Sequence, residues 1–414
     1  MIIFYRILIN LVLIFSPLII LIRIIKKKED FYRFKEKLTF FTKKRKKGKL
    51  IWFHGASVGE IVSILPLIRE LEKLKKINQI LVTSSTLSSS NIFAKFKFKK
   101  TVHQFFPIDT NFLSKKFLSY WKPNLAVFVE SEIWPNILIN LKKKHIFHIL
   151  LNARITKKSF NKWRKLGSFS KNLFKNFNTT YPQNLETKKY LKKLGVKKIK
   201  NLGNLKFSEY DDRPNAKINW NLKDFLKNKK YWCAVSTHKG EEQICANVHL
   251  KLQKKNKNLI TIIIPRHIQR TQELKKNFTK LGIQTHLHSN KGKIEKNTQI
   301  YIVDTYGDTK IFFKISKVIF LGKSLLGEGG QNPLEPARFN CNIIHGPKVS
   351  NFTEIYKLLD KNKISFKVSN ENNLLNKVDE LLKKNIDSIN IKNKINTIGN
   401  KILKKTVIAL EKFI

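Results

Sequence analysis

Short apolar runs alternate with longer, Lys-rich segments along most of the chain. Runs of this length fit buried strands, and the segments between them, such as 61–76, have the spacing of amphipathic helices. Strands that alternate with helices predict parallel sheets of βαβ units. The apolar runs lie at 50–54, 79–85, 125–130 and 145–152, and then at 231–237, 259–264, 299–305, 317–322 and 341–346.

The runs form two series, separated by the polar and weakly patterned segment 206–230. We therefore predict an α/β protein with two doubly wound, Rossmann-like domains that face a cleft. In open sheets of this kind, ligands bind beyond the carboxyl ends of the strands. The residues that directly follow each strand are therefore the candidates for function.

The N-terminal residues have a different pattern. Residues 7–22 are uncharged and mostly apolar, and with their apolar neighbours they approach the ~20 residues that a membrane-spanning helix needs. The basic segment 26–48 follows, and the positive-inside rule places it in the cytoplasm. We predict a single-pass anchor helix. A cleaved signal peptide is disfavoured because no small-x-small site follows the run, and a buried core helix is the other alternative.

These patterns predict the domain boundaries. They are 1–25 for the anchor, 26–48 for the basic juxtamembrane segment, 49–205 for the N-terminal domain, 206–230 for the linker and 231–414 for the C-terminal domain, whose last part, 370–414, has a helical pattern.

Composition narrows the class of protein. The chain has 414 residues, of which 42% are hydrophobic, so it can fill substantial cores and is not a disordered protein. Its three cysteines form no C-x-x-C pair, which argues against a disulfide scaffold and a zinc ribbon. The net charge is +53, but the basic residues are spread along the whole length and not clustered like a nucleic-acid footprint. We expect an anionic partner such as a membrane surface, and no specific nucleic acid.

The first strand leads into the sequence HGASVGE, which ends at Glu60. Its two glycines allow a tight turn and a close approach of the backbone to a ligand. Glu60, at a strand-to-helix turn, could act as a general base for a substrate hydroxyl. Ser57 and Glu60 also have the S-x-x-E spacing of a helix capping box, a purely structural interpretation that the spacing alone favours. Two further carboxylates, Glu130 and Glu132, follow the strand at 125–130, either as ion pairs with lysines or as an electrostatic element of the site.

Polar residues also follow the strands of the second series. Ser236, Thr237 and His238 precede a predicted helix start, where hydroxyl and free N–H groups suit an anion. Pro265 ends the next strand and leaves Arg266 placed to grip a phosphate, although an ordinary surface arginine would give the same pattern.

The glycine-rich segment GEGGQNPLEPA is the strongest local signal. It predicts a helix start with Asn332 as N-cap, Pro333 at the first helical position and Glu335 at the third. The glycines also allow a ligand to touch the backbone, and Glu335 could accept both hydroxyls of a ribose.

Together, these motifs resemble those of the Kdo transferases, glycosyltransferases that add 3-deoxy-manno-octulosonic acid (Kdo) to lipid A precursor in lipopolysaccharide biosynthesis. The resemblance covers almost the full chain, and the order of the motifs is far more specific than any one of them. The motifs are the apolar N-terminus, HGASVGE, VESEIWPN, NARIT, GNLKF, STHKGEE, PRH, DTYGD and GGQNPLEPA. The resemblance implies a GT-B fold, CMP-Kdo as donor, lipid IVA as acceptor and the cytoplasmic face of the bacterial inner membrane.

The resemblance also implies roles for individual residues. Glu60 matches the catalytic base, and Glu130 and Lys206 match positions that support the transition state. The N-terminal domain is expected to bind the acceptor, and the C-terminal domain the CMP-sugar. The candidate CMP-Kdo-binding residues are Ser236, Thr237, His238, Pro265, Arg266, Gly307, Asp308, Thr309, Asn332, Pro333, Leu334 and Glu335.

Three positions depart from the family pattern. Asp308 stands where Glu is usual, Gln331 replaces a common His, and Lys323 stands where Gly is frequent. The implied mechanism still has all its groups: Glu60 deprotonates an acceptor hydroxyl that attacks the anomeric carbon directly, and Arg266 with helix N-termini neutralises the departing CMP. The sequence has no H-E-x-x-H motif or clustered acidic metal box, so we expect no metal or cofactor.

Two other classes of function are compatible with parts of the sequence. Another nucleotide-sugar transferase, or an epimerase of the same architecture, would turn over a UDP-sugar and not CMP-Kdo. A membrane-tethered basic protein that binds RNA would show a steep salt dependence, but it leaves the ordered glycine and carboxylate motifs unexplained.

Overall fold

The structure, a computed structural model, describes residues 1–208, 218–290, 292–383 and 389–414. The chain divides into two compact units, one of Met1–Tyr210 with Ile398–Ile414 and one of Asp211–Thr397. Each unit is built on one sheet, and the paired strands in both sheets are parallel. The predicted α/β class with two doubly wound sheets is confirmed.

The first unit contains a six-stranded sheet with the order β3-β2-β1-β4-β5-β6. The strands are β1 (Leu50–His54), β2 (Gln79–Ser84), β3 (Thr101–Phe105), β4 (Leu125–Val129), β5 (Phe147–Ala153) and β6 (Thr179–Pro182). The helices are α1 (Ile2–Ile25), α2 (Val58–Glu72), α3 (Leu87–Ala94), α4 (Asn111–Trp121), α5 (Pro135–Lys143), α6 (Lys157–Lys165), α7 (Gly167–Phe174) and α8 (Leu185–Lys193). Every residue of β1 and β4 is buried, as expected for a sheet with helices on both faces. The strand order reverses between these two strands, which is where such sheets bind ligands.

The second unit contains a seven-stranded sheet with the order β13-β12-β11-β7-β8-β10-β9. The strands are β7 (Lys230–Thr237), β8 (Leu259–Pro265), β9 (Thr285–Leu287), β10 (Ile300–Ile302), β11 (Val318–Leu321), β12 (Asn342–His345) and β13 (Ser365–Lys367). The helices are α9 (Trp220–Leu226), α10 (Glu241–Gln253), α11 (Thr271–Lys280), α12 (Thr309–Ile315), α13 (Leu334–Arg338), α14 (Thr353–Lys361) and α15 (Glu371–Lys383), and α16 (Ile389–Glu411) leads back to the first unit. Here the order reverses between β7 and β11.

The C-terminal boundary differs from the predicted one. We expected 231–414 to form one domain, but residues 398–414 group with the first unit. Packing explains the difference, because Leu410 is fully buried and the ring of Phe413 stacks on Phe147 of β5 with centroids 4.5 Å apart. Of the predicted linker 206–230, residues 209–217 lie outside the described residues, and α9 belongs to the second unit.

Among the described residues, α1 is the one helix that is long and apolar enough to cross a membrane. Most of its large apolar side chains are exposed. The helix is therefore a candidate membrane anchor, as the apolar run predicted.

Candidate active site

Glu60 lies beyond the carboxyl end of β1, in the first turn of α2. The turn is tight, since a Cβ atom on Gly55 would come within 3.0 Å of the Cβ atom of Glu60. Both halves of the predicted capping box are present: the N–H of Ser57 donates to Glu60 Oε2 at 3.0 Å, and the N–H of Glu60 donates to Ser57 Oγ at 3.4 Å. The cap therefore holds this carboxylate beside the point where the strand order reverses.

The environment of Glu60 makes its carboxyl unusually basic. The residue is only 9% exposed. Burial, followed by the negative charges of Glu132 and Glu130, raises the pKa of Glu60 to about 7, against the lowering effect of the N–H groups of Ser57 and Ala56. A carboxyl with this pKa is suited to accept a proton near neutral pH. Capping and proton transfer are thus compatible roles for one side chain.

Glu130, which is buried, and Lys206, which is partly buried, form an ion pair in the same unit. Glu130 directly follows β4 with a backbone φ of 56°, and its Oε1 lies 2.7 Å from Lys206 Nζ. Lys206 belongs to a 3₁₀ turn, Leu205–Ser208, whose first N–H donates to Asn152 Oδ1 at 3.1 Å. The structure therefore brings together the three residues that the sequence proposed for catalysis, since the charge of Glu130 also acts on Glu60.

A second polar pair, His54 with Glu132, lies beside Glu60; the sequence suggested Glu132 as a possible electrostatic element, but not His54 as its partner. Glu132 Oε2 lies 3.0 Å from His54 Nε2 and accepts the indole N–H of Trp134 at 2.8 Å. Burial would raise the pKa of Glu132, but the bond and charge of His54, together with the indole, hold this pKa below its ordinary value. His54 is itself fixed, because its Nδ1 lies 3.0 Å from Thr83 Oγ1 and its ring stacks on Phe106. In the sequence, the feature that could have pointed to His54 is its position at the start of the HGASVGE motif.

In the second unit, two predicted segments lie side by side at the ends of β7 and β8. The carbonyl of Thr237 accepts the N–H of Arg266 at 3.0 Å. The side chain of Arg266 is exposed and accessible to a ligand, whereas Thr237 is buried. The N–H of His238 donates to Glu241 Oε2 at 3.0 Å, so a carboxylate of the chain already accepts this N–H group. Contacts of Ser236, Thr237 and His238 with a ligand stay a prediction.

Glu241 was not predicted as an important residue, yet it joins the two strands at the reversal. It is fully buried at the start of α10 and accepts backbone N–H groups from residues 323–326 at 2.7 to 3.3 Å. These residues follow β11, so the carboxylate ties the end of β7 to the end of β11. The signal in the sequence was a pair of carboxylates, Glu241 and Glu242, separated by three residues from the apolar run 231–237.

The other predicted segments meet at the starts of two helices. The segment 307–309 leads into α12, and Asp308 Oδ2 lies 3.7 Å from His288 Nε2. Glu335, in the first turn of α13, has its Oε1 at 3.8 Å from Lys310 Nζ. The side chain of Glu335 is 44% exposed, so it remains accessible beside this pair.

The start of α13 is displaced from the prediction by one residue. We expected Asn332 as N-cap and Pro333 as the first helical residue, but the helix begins at Leu334 and Pro333 takes the cap position. Asn332 still serves the helix start, since its Oδ1 accepts the N–H of Leu334 at 3.1 Å. The predicted helix start is therefore present, but the helix begins one residue later than the sequence predicted.

All predicted site residues lie within the described part of the chain, near the carboxyl ends of strands or on the segments that contact them. In the first unit they are Glu60, Glu130 and Lys206, and in the second Ser236, Thr237, His238, Pro265, Arg266, Gly307, Asp308, Thr309, Asn332, Pro333, Leu334 and Glu335. The described residues include no group of three or more His, Cys, Asp or Glu side chains placed to hold a metal ion.

Comparison with known proteins identifies sequences that are similar to this chain. The sequence profile described as "3-Deoxy-D-manno-octulosonic-acid transferase (kdotransferase)" matches residues 32–209. The 3-deoxy-D-manno-octulosonic acid transferase of Rickettsia bellii (strain RML369-C) is 35% identical over 367 residues, which cover 89% of this chain and 87% of that protein.

Solved structures support the fold. UDP-GlcNAc 2-epimerase from Neisseria meningitidis bound to UDP-GlcNAc matches 88% of this chain and 100% of its own with a TM-score of 0.63 and 13% identity. A glycosyltransferase from Rickettsia africae ESF-5 matches 89% of this chain and 99% of its own with a TM-score of 0.60 and 13% identity. These likenesses confirm the predicted GT-B-type architecture. The identity to a Kdo transferase over most of both chains shows the family: this chain belongs to the 3-deoxy-D-manno-octulosonic-acid transferases, which are glycosyltransferases.

Proposed function

We propose that this chain transfers Kdo from CMP-Kdo to a sugar hydroxyl of lipid IVA, with Glu60 as the general base. The observation that carries the proposal is the buried, capped carboxylate of Glu60 at the reversal of the first sheet, with its pKa raised to about 7, in a chain of this family. The first unit binds the acceptor, and the second unit binds the donor.

In the proposed step, the ionised carboxylate of Glu60 accepts the proton of the acceptor hydroxyl. The hydroxyl oxygen then forms a bond to the anomeric carbon of Kdo, while the bond from that carbon to the CMP phosphate breaks. The leaving group takes the bonding electrons, so negative charge grows on the phosphate. Arg266 is the exposed guanidinium suited to bind that phosphate, and Lys206 with Glu130 supports the charge distribution around the base.

The rate of transfer should rise with pH through about 7, because only the ionised form of Glu60 can accept a proton. Glu132→Gln removes one of the negative charges that raise this pKa, so the midpoint of the rise should move to lower pH. The measurement is kcat/KM for the acceptor from pH 5 to 9 in both proteins. An unmoved midpoint in Glu132→Gln would exclude Glu60 as the titrating group.

Arg266→Ala should raise the KM for the donor about 10- to 100-fold, because hydrogen bonds to a charged phosphate contribute roughly 1.5–3 kcal/mol. Arg266→Lys should rescue this loss only in part, since an ammonium keeps the charge but not the two-pronged contact. Donor titrations at saturating acceptor separate KM from kcat. A KM that does not change in Arg266→Ala would remove this residue from the donor site.

The direct test is mass spectrometry of lipid IVA after incubation with the protein and CMP-Kdo. We expect products heavier by one or more Kdo residues. Turnover of UDP-sugars with no product from CMP-Kdo would replace the proposal with the alternative of another nucleotide-sugar enzyme on the same fold.

The acceptor is a lipid, so the site of action is a membrane surface. We propose the cytoplasmic face of the bacterial inner membrane, where α1 and the basic residues of 26–48 attach the chain to anionic lipid.

A further inference from the structure

The first turns of α1 are bound to the folded body of the first unit. The hydroxyl of Tyr5 donates to Asp109 Oδ2 at 2.8 Å, and Arg6 Nε donates to Asn136 Oδ1 at 2.9 Å. Asp109 is only 1% exposed, and its carboxylate also accepts the N–H groups of Asn136 and Ile137 at the start of α5. Residues 5 and 6 are therefore attached to a polar cluster buried in the protein.

The last turn of α1 is bound to the same body. Arg23 Nε donates to Glu29 Oε2 at 3.0 Å, and Lys37 Nζ donates to the same oxygen at 2.6 Å. The carbonyl of Lys37 in turn accepts the N–H of Ile108 at 3.0 Å. Ile108 directly precedes Asp109, so both ends of α1 are connected to the loop between β3 and α4.

One face of α1 is shielded along its whole length. The less exposed positions include Tyr5, Ile9, Leu13, Ser16 and Ile20, which recur at the spacing of a single helix face. Ser16 and Ile20, far from either end, are only 4% and 7% exposed. The opposite face presents large apolar side chains to the outside, among them Phe4, Phe15 and Leu18, which are 57–59% exposed.

These contacts are incompatible with a helix that crosses the bilayer. Residues 5 and 23 are roughly 27 Å apart along a helix that rises 1.5 Å per residue, which is close to the ~30 Å thickness of the hydrocarbon core. In a spanning helix, Tyr5 would lie on the far side of the membrane. It could not then reach Asp109, which is buried in a folded α/β unit that the hydrocarbon would exclude.

We propose that α1 lies in the plane of the membrane surface, with one face on the first unit and its apolar face in the lipid of one leaflet. The N-terminus and the folded body are then on the same side of the membrane. This inference replaces the single-pass anchor predicted from the sequence. It rests on the proposed attachment to a membrane and not on the identity of the donor or acceptor.

The occupant of the apolar face is an anionic phospholipid bilayer. Residues 26–28 are three lysines that directly follow the helix, and basic residues there attract anionic lipid. Phe31 and Tyr32 come next and are 64% and 83% exposed, as aromatic residues at a lipid–water interface are. Contact of this apolar face with a second copy of the chain would not require the three lysines.

Protease protection in sealed inverted membrane vesicles tests the orientation. The full chain carries one epitope before Met1 and another after Ile414, and the protease is added outside, on the cytoplasmic face. Both epitopes should be digested at the same rate without detergent. An N-terminal epitope that is protected until detergent is added would overturn the proposal, as would an N-terminal epitope that is already missing from the mature chain.

Flotation with lipid vesicles tests the occupant. The full chain should float with phosphatidylglycerol vesicles, and less with neutral phosphatidylcholine vesicles. Replacing Phe15 and Leu18 with Gln should lower the bound fraction at least tenfold, because both side chains leave water for lipid on binding. Trp220→Gln is the matched control, since Trp220 is 72% exposed on the second unit. A stable dimer that ignores vesicles would assign the face to a second copy and overturn the proposal.

Discussion

Glu60→Gln is expected to lower the turnover number for Kdo transfer by about 10²- to 10⁴-fold, the usual contribution of a general base. An amide cannot accept the proton of the acceptor hydroxyl near neutral pH. It can still accept the N–H of Ser57, so the capping box that the carboxylate forms is kept. The substitution therefore separates the two roles that the S-x-x-E spacing left open.

Glu60→Gln should increase the free energy of unfolding above pH 7, although it lowers the activity. The folded pKa of Glu60 is raised from 4.5 to about 7, so its contribution to stability is fully present below pH 4.5 and is lost as pH rises through about 7. Above that pH the wild type holds a buried, ionised carboxylate, which the amide removes. We expect Glu60→Gln to be as stable as the wild type at pH 4 and more stable at pH 8, by up to about 3 kcal/mol.

The matched control is Glu70→Gln, the same change on the same helix at a half-exposed residue that pairs with Lys73. It should alter neither turnover nor the pH dependence of urea unfolding. Initial rates with CMP-Kdo and urea titrations at the two pH values provide the measurements. Full activity in Glu60→Gln would leave capping as the only function of this carboxylate.

The strands that the sequence did not predict have a common position in the fold. They are β3 and β6 at the edges of the first sheet and β9 and β13 at the edges of the second. Edge strands pair on one side only and need not be continuously apolar, as Thr179–Pro182 and Ser365–Lys367 illustrate. The central strands, covered on both faces, carry the apolar runs that made them recognisable.

The position of the candidate site was predictable where it depends on the order of motifs along the chain. Glu60, Glu130 and Lys206 follow from motifs, and the parallel topology then brings them together. The roles of His54 and Glu241 depend on contacts with distant residues, at Glu132 and at 323–326, which no local pattern encodes. The contacts of α1 with the first unit could not be predicted for a similar reason, because hydropathy measures the length of an apolar run and does not show that Tyr5 bonds to Asp109.

Lys206→Met is expected to have the second large effect, on stability and activity together. It leaves Glu130, whose side chain is 7% exposed, without the ammonium that lies 2.7 Å from it. Removing one partner of a buried pair typically costs about 3–5 kcal/mol. If Lys206 also supports the transition state, turnover should fall by roughly 10²-fold or more, in line with the loss of one preorganised charge.

The double variant Lys206→Met with Glu130→Gln separates these effects. With both charges gone, no buried carboxylate is left unpaired, so most of the stability should return. The turnover should not return, because the lysine charge that acts on the reaction is still missing. Lys251→Met serves as the control: its pair with Glu371 is exposed, so it should change stability by less than about 1 kcal/mol and leave turnover unchanged. If the double variant regains transfer along with stability, the pair only holds the site together, and the catalytic charge has to be sought on another residue.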